Sequence, residues 1–253
     1  MGKSYREFCD WLELCSIVLK QLGMSRMPHF TTLQKFSRRA DPGFLDRLLG
    51  SFAEQVDGPL QLAVDSTGFS CTSASYYFIT VLQRNEAKEF GPGQRAVRRH
   101  IKQTIAIDIG TQLIVTMRHR LGPTNDAPDM IPVLEAVSSN KRIASVVADK
   151  GYDSNQIRRY IWYRLKAESH IPLKKLDKRS DKENSVYRRK QARVFDETKY
   201  HRRALIETVH SVEKRVMRDD VLATSSAGQH AELRFRAIAY NSRRLALTTD
   251  DFY

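Results

Sequence analysis

The chain has 253 residues, enough for one catalytic domain with a hydrophobic core and a small additional region. Its 42 lysine and arginine residues outnumber the 29 aspartate and glutamate residues, and the net charge of +13 makes nucleic acid the expected partner, with a membrane surface or ribosomal RNA as alternatives. Three scattered cysteines, no signal pattern and no apolar run of ~18 residues argue against zinc ribbons, disulfide frameworks and membrane spans, and predict a cytoplasmic protein.

The first region, residues 1–57, is predicted to be helical. Ser4 can cap a first helix in which apolar side chains recur at helical spacing over 8–22. An Asp-Pro-Gly sequence at 41–43 breaks the chain, and a further helix is predicted over 44–52. Residues 1–57 therefore form a small helical N-terminal region.

A short helix is also predicted inside this region, over 31–39. Thr31 or Thr32 can cap it, and it ends in two arginines. Such a helix fits a recognition helix that enters the major groove of DNA. Plain helical scaffolding accounts for the same residues slightly better, so DNA binding by the N-terminal region stays an open alternative.

The remainder of the chain, 58–253, alternates between strand and helix patterns. Runs of apolar, β-branched and aromatic residues predict strands over 60–64, 76–82, 104–109, 113–117, 143–148 and 170–173. Helical spacing predicts helices over 128–137, 154–165, 199–217 and 231–247. This order indicates an α/β fold with a mixed sheet, antiparallel on one side and flanked by helices.

A short basic insertion interrupts this alternation at 174–198. It has almost no apolar clusters, and its cations are Lys174, Lys175, Lys178, Arg179, Lys182, Arg188, Arg189, Lys190 and Arg193. A dense run of cations is typical of a segment that contacts DNA phosphates without reading the base sequence. A solvated loop is the alternative. We predict phosphate contacts by this segment, with Arg188, Arg189 and Lys190 at their centre.

Two acidic residues follow predicted buried strands. Asp65 comes directly after the run 60–64, and Asp149 follows 143–148. If the two strands are parallel neighbours, both carboxylates project from the same edge of the sheet, where sites in open α/β sheets lie. An aspartate after a strand is also commonly a turn residue or a helix cap. A helix cap is the role expected for Asp153. The two acids fit either interpretation equally well.

The helix predicted over 199–217 carries a polar stripe. At ~100° per residue, spacings of three and four residues place on one face Tyr200, Arg203, Glu207, His210 and Lys214. The opposite stripe is apolar and consists of Leu205, Val209, Val212 and Val216. A solvated surface helix with an ordinary i, i+4 ion pair would show the same pattern, and His210 fits a solvated side chain as well as a DNA contact.

The acids of these elements suit metal chemistry. A third carboxylate, that of Glu207, near Asp65 and Asp149 would make a hard oxygen site for Mg²⁺ or Mn²⁺. Two such ions ~3.5–4 Å apart activate an attacking oxygen and stabilise a leaving oxygen on phosphorus. Cationic Arg203 and Lys214 beside them would attract a phosphate backbone.

These residues also carry a family resemblance. The spacing of Tyr200, Arg203, Glu207 and Lys214 matches the Tyr–Arg–Glu–Lys signature of DDE transposases from prokaryotic insertion sequences. The segments 63–67 and 147–154 look like the first-aspartate and second-aspartate regions of that family, and 122–128 resembles the loop before its first core helix. The motifs occur in the family's order and cover most of the chain, approximately from 60 to 250.

The resemblance implies a ribonuclease-H-like fold with Asp65, Asp149 and Glu207 as catalytic acids that bind two Mg²⁺ or Mn²⁺ ions. It implies cutting and strand transfer on double-stranded DNA, at the terminal inverted repeats of an insertion sequence and at its target. Tyr200, Arg203 and Lys214 would contact that DNA. A homodimer in the active DNA complex is expected, in the cytoplasm of a prokaryotic cell and associated with the nucleoid when active.

Two other functions stay open at this point. A catalytically inactive or host-recruited DNA-binding protein derived from such an element would share the basic charge, although the intact acids argue against it. A structure-selective nuclease of the same fold would cut DNA without joining it.

Overall fold

A mixed β-sheet carries the fold in a computed structural model, which describes residues 4–71, 100–122, 124–174 and 185–249. Its strands are β1 (Leu60–Cys71), β2 (His100–Asp108), β3 (Ile114–Leu121), β4 (Ile143–Ala148), β5 (Glu168–His170) and β6 (Asp220–Val221). The order across the sheet is β3-β2-β1-β4-β5, and β6 pairs with β1. Strands β1 to β3 are antiparallel neighbours, whereas β4 and β5 run parallel to β1. The predicted ribonuclease-H-like mixed sheet with helices around it is confirmed.

Helices cover both faces of the sheet. They are α1 (Tyr5–Glu13), α2 (Ser16–Gln21), α3 (Phe30–Arg39), α4 (Pro42–Ser51), α5 (Ala127–Ser138), α6 (Asn155–Arg159), α7 (Val186–Val194), α8 (Glu197–His201), α9 (Ala204–Met217) and α10 (Ser226–Thr249). Successive strand residues point to opposite faces of the sheet. Leu62 and Val64 therefore pack on the face that α5 covers, whereas Ala63 packs with Ile206 and Val209 of α9. None of these helices is long and apolar enough to cross a bilayer.

The N-terminal region is helical as predicted, with differences in detail. Ser4 caps α1, and the chain leaves the helical conformation at Cys15, so the helix predicted over 8–22 is two helices. His29 caps α3 through a bond from the Thr31 backbone N–H, so the predicted threonine caps are wrong. Asp41 caps α4, which begins directly at Pro42.

Two predicted elements of the larger region also differ. The helix over 199–217 is wrong as a single helix, because a turn at 202–203 separates α8 from α9. The two helices pack against different parts of the sheet, α8 against β4 and β5 and α9 against β1, and one straight helix would not reach both. The insertion at 174–198 contains α7 and the start of α8. The strand predicted over 76–82 lies outside the described residues.

The open edge of β3 is held by one side chain of α10. Asn241 is fully buried, its Oδ1 accepts from the Ile114 backbone N–H at 2.8 Å and its Nδ2 donates to the Ile114 carbonyl at 2.7 Å. The amide therefore takes the place of a neighbouring strand for one residue. This contact satisfies two buried backbone groups that the sheet leaves without a partner.

We predict that Asn241→Ala lowers the free energy of unfolding by about 2–4 kcal/mol, because it leaves a buried donor and a buried acceptor unsatisfied. Chemical denaturation measures the change. Ser242→Ala is the matched control on the same helix, since its exposed hydroxyl bonds only to the turn before it, and it should change stability by less than about 0.5 kcal/mol. Equal effects of the two substitutions would contradict this role of Asn241.

Candidate active site

Asp65 and Asp149 lie side by side at one edge of the sheet. Val64 of β1 pairs with Ala148 of β4 in parallel register, so the following residues of both strands are neighbours. Both acids continue the alternation that directs Ala63 and Val147 towards α9. The condition for a shared site, that the two strands are parallel neighbours, is therefore confirmed.

The two acids differ in their local backbone. The apolar run suggested that Asp65 ends its strand. This is wrong, because β1 continues to Cys71 and is paired with β2 beyond Asp65. Asp149 ends β4, and its Oδ1 accepts from the Gly151 backbone N–H at 2.6 Å. A Cβ on Gly151 would lie 2.6 Å from the same oxygen, so only glycine allows this bond without a shift of Asp149.

Arg203 joins the third acid to the strand acids. Its guanidinium lies 2.5 Å from Glu207 Oε1 and 3.5 Å from Asp65 Oδ2. The Glu207 side chain is 55% exposed, whereas those of Arg203 and Asp65 are about one-fifth exposed. The turn before α9 thus places a cation between the helix acid and the sheet.

Electrostatics set Asp65 apart from a surface carboxylate. Burial raises the pKa of the Asp65 carboxyl above its ordinary value, and the Asp149 carboxylate also raises it. A backbone hydrogen bond, His210 and Arg203 act in the opposite direction. The net effect is a carboxylate that gains from any cation bound nearby.

A hydrogen-bonded layer supports the site from the other face of the sheet. Ser66, directly after Asp65, bonds through Oγ to Thr104 at 2.7 Å and to the Tyr152 hydroxyl at 2.9 Å. Tyr152 is fully buried, and this burial raises the pKa of its phenol well above the usual range. This layer was not predicted from the sequence, although Tyr152 lies inside the second-aspartate segment 147–154.

The sheet-facing side of α9 combines apolar and polar residues, where only an apolar stripe was expected. His210 and Glu213 are buried beside Ile206 and Val209, and their side chains approach to 3.7 Å. Glu213 also accepts from Gln103 of β2 at 3.1 Å. The interpretation of His210 as a solvated side chain is wrong, because α9 packs on the sheet through the edge of the predicted polar stripe.

The predicted DNA contacts on the helices occupy partly buried positions. The Lys214 ammonium lies 5.4 Å from the centre of the Phe69 ring, on the same helix as Glu207. Tyr200 belongs to α8, and its ring lies 5.6 Å from that of Phe195. The broken helix therefore separates Tyr200 from the stripe of α9.

The basic insertion divides into buried and exposed cations. Arg188 is 5% exposed, and its guanidinium bonds to Asp153 at 2.6 Å and to the Lys174 carbonyl at 2.5 Å. The DNA contact expected of Arg188 stays a prediction, and in this structure a buried carboxylate binds its charge. Arg189 and Lys190 are exposed, and the Lys190 ammonium lies 4.5 Å from the Trp162 ring.

Asp153 is a buried anchor, not the expected helix cap. Its carboxylate accepts from Arg158 at 2.5 Å, from Arg188 at 2.6 Å and from the Lys174 backbone N–H at 2.6 Å. Burial by itself would raise the pKa of Asp153, but these bonds bring the pKa below its ordinary value. The anchor ties α7 to the loop that follows Asp149.

The donor set suits a hard divalent cation without forming a closed metal cluster. Within the ranges that the structure describes, no three histidine, cysteine, aspartate or glutamate side chains converge closely enough to hold a metal ion. Asp65 and Asp149 are adjacent, while Glu207 is directed to Arg203. The guanidinium supplies the positive charge that these carboxylates need.

The mixed sheet, with Asp65 and Asp149 at neighbouring positions of parallel strands and Glu207 on a helix over the same face, defines an α/β domain of the ribonuclease-H-like class. The family described as "Transposase DDE domain" matches residues 57–242, and the chain belongs to this family. No curated protein matches the chain at a significant level.

Solved transposase structures resemble the chain at low identity. A piggyBac transposase synaptic complex with hairpin DNA has 10% identity and a TM-score of 0.44, over 76% of this chain and 49% of that one. The Mos1 strand transfer complex has 12% identity and a TM-score of 0.28, over 99% and 75%. The Mos1 catalytic domain with Raltegravir and Mg has 10% identity and a TM-score of 0.27, over 87% and 96%. The chain spans about half the length of the piggyBac transposase.

We predict that Asp153→Ala lowers the free energy of unfolding by about 3–5 kcal/mol, because it leaves buried guanidinium groups without their carboxylate. Asp220→Ala is the control: its partner Arg218 is 43% exposed, and the loss should stay below about 1 kcal/mol. Denaturant titration at neutral pH measures both. A small, equal loss for the two variants would show that Asp153 is not an anchor.

Proposed function

We propose that the protein is a transposase that cuts and joins double-stranded DNA at the ends of an insertion sequence. The observation that carries the proposal is the arrangement of Asp65, Asp149 and Glu207 on one face of the sheet in a chain of the transposase DDE family. The net charge of +13 supports DNA as the substrate. The spacing of Tyr200 to Lys214 supports an origin in prokaryotic insertion sequences that carry the Tyr–Arg–Glu–Lys signature.

The three acids would bind the divalent metal, with Mg²⁺ or Mn²⁺ as the cation and two ions as the expected number. Asp65 and Asp149 would hold it between β1 and β4, and Glu207 would complete the site after its side chain turns away from Arg203. Bound cations supply activation of the attacking oxygen and charge neutralisation at phosphorus. The raised pKa of Asp65 supports this role, since a nearby cation stabilises its charged form.

Arg203, in the turn before α9, and Lys214 of α9 would hold the DNA for in-line attack. Arg203 bonds to Glu207 in the free protein, and release of Glu207 to the metal leaves its planar guanidinium available for a phosphate. Lys214 lies seven residues beyond Glu207, about 10 Å by helix rise, which suits a neighbouring phosphate better than an ion pair with that acid. Exposed Arg189 and Lys190 of α7 would contact the backbone further from the site, and Tyr200 would contact DNA from α8.

The remaining features of the proposal concern organisation. Residues 58–253 would be the catalytic domain, with 174–198 as a short basic insertion, and 1–57 a helical region in front of it. The DNA partners would be the terminal inverted repeats and a target duplex, held by a homodimer. The site of action would be the cytoplasm of a prokaryotic cell, at the nucleoid during transposition.

We predict that Asp65→Asn, Asp149→Asn and Glu207→Gln each lower metal-dependent cleavage by about a hundredfold or more, since metal coordination contributes several kcal/mol at the transition state. Duplexes that carry the inverted repeats flanking the gene are incubated with Mg²⁺ or Mn²⁺, and nicked and joined products are separated on gels. Glu197→Gln is the control, an exposed acid of α8 whose side chain lies 3.8 Å from that of His201.

The products decide between the candidate functions. Cleavage followed by joining supports the transposase, and cleavage without joining would indicate a structure-selective nuclease. DNA binding without cleavage would indicate an inactive or host-recruited protein. Full activity of the Asp149→Asn variant would remove that residue from the catalytic assignment.

We predict different effects of Lys214→Ala and Arg203→Ala. The first should weaken binding of element-end DNA and leave Mn²⁺ affinity unchanged, because Lys214 is far from Glu207 along the helix. The second should change both affinities, because Arg203 contacts Asp65 and Glu207. Titration of Mn²⁺ and of DNA, each followed separately, measures the two effects. Arg215→Ala is the control, at an exposed position of the same helix. A Lys214→Ala variant that loses Mn²⁺ binding but binds DNA normally would contradict the phosphate role of Lys214.

A further inference from the structure

Two arginines near the end of β3 share one buried carboxylate. Arg118 Nε bonds to Asp129 Oδ1 at 3.1 Å, and Arg120 Nη1 bonds to the same oxygen at 3.2 Å. The Asp129 side chain is 1% exposed, whereas those of Arg118 and Arg120 are 48% and 34% exposed. Both guanidinium groups are therefore held by Asp129 on one side and exposed to solvent on the other.

This cluster holds more positive charge than its acids require. Buried Lys102 bonds to Asp129 at 2.9 Å and to Asp126 at 2.8 Å, so it already joins both carboxylates. With Arg118 and Arg120, three cations face two acids. Charge pairing with the buried Asp129 explains the position of Lys102. It does not explain two further arginines on the exposed edge strand β3.

The cluster lies at the same edge of the sheet as the strand acids. Strand β3 is antiparallel to β2, which is antiparallel to β1, so the ends of β3 and β1 point the same way. Across the sheet, Ser66 pairs with Thr104 and Thr104 pairs with Arg118. Two strand spacings of ~4.8 Å place the Arg118 backbone about 10 Å from that of Ser66, the residue after Asp65.

We infer that Arg118 and Arg120 form a phosphate-binding pair for the DNA backbone, on the side of the acids away from Arg203. The inference rests on the proposed function, because it names a further contact of the same DNA. Arg118 uses Nε for Asp129, and this leaves both terminal nitrogens for bidentate binding of a phosphate. Asp129 fixes the two side chains before DNA arrives, so less rotamer entropy is lost on binding.

The test compares two double variants of the full chain. In Arg118→Gln with Arg120→Gln, an amide donor for Asp129 is kept and two charges are removed. The control, Arg142→Ala with Arg243→Ala, removes two exposed charges at the opposite end of the sheet, where β4 starts and where α10 meets the β2–β3 turn. Circular dichroism and thermal melting establish that both variants fold. Fluorescence anisotropy then measures duplex binding between 50 and 200 mM salt, roughly the range over which phosphate contacts are resolved.

The wild-type protein should bind duplex DNA with a steep salt dependence. The glutamine variant should lose up to about 0.9 log units of slope per log salt for each contact removed, and the control should lose less. Substituting single phosphates of the duplex with uncharged methylphosphonates locates the contact: wild type should lose affinity at one or two positions to which the glutamine variant is insensitive. Equal slopes for the two variants overturn the inference. Absence of duplex binding by the wild-type protein overturns the proposed function, and the inference with it.

Discussion

The parallel pairing of β1 with β4 places two acidic residues on neighbouring strands, and the surrounding structure compensates for the repulsion between their carboxylates. The strand register fixes the backbones of Asp65 and Asp149 as neighbours. Burial makes the charged form of Asp65 more costly still. Arg203 from the turn before α9 and the Gly151 backbone N–H supply the nearest compensation. A carboxylate pair held in this way gains from a divalent cation, which links the architecture of the sheet to the proposed chemistry.

Buried polar contacts, in addition to apolar packing, hold the residues around the acids in place. On the α5 face, the Ser66 hydroxyl connects Tyr152 and Thr104 directly beneath the site. Beyond Asp149, the Asp153 carboxylate pairs with two buried arginines and holds α7 to the loop that follows Asp149. Such networks are costly when incomplete, because a buried charge that loses its partner keeps its desolvation penalty. They therefore couple the geometry of the site to the stability of the fold.

The distribution of cations suggests how a DNA duplex would lie. Arg203 is on the α9 face of the sheet, and the Asp129 cluster is on the α5 face near the same edge. Lys190 lies over Trp162 at the β5 side of the molecule. Cations on several sides of the acids would neutralise successive phosphates and hold the scissile bond at the strand ends. The cations nearest to the acids are held by carboxylates, so their positions are set before DNA binds.

Most strands and helices and the two strand acids could be predicted from local sequence patterns. Strand runs, helical spacing and the motif order were sufficient for the mixed sheet, for Asp65 and Asp149 as edge residues, and for the family. Which cations face solvent depends on tertiary contacts, since Arg188 and Arg189 are adjacent in sequence yet one is buried on Asp153 and the other is exposed. Tertiary contacts likewise divide the helix predicted over 199–217, because α8 and α9 pack against different strands. Local patterns record which residues favour a strand or a helix, whereas the partner of a buried charge depends on residues distant in the chain.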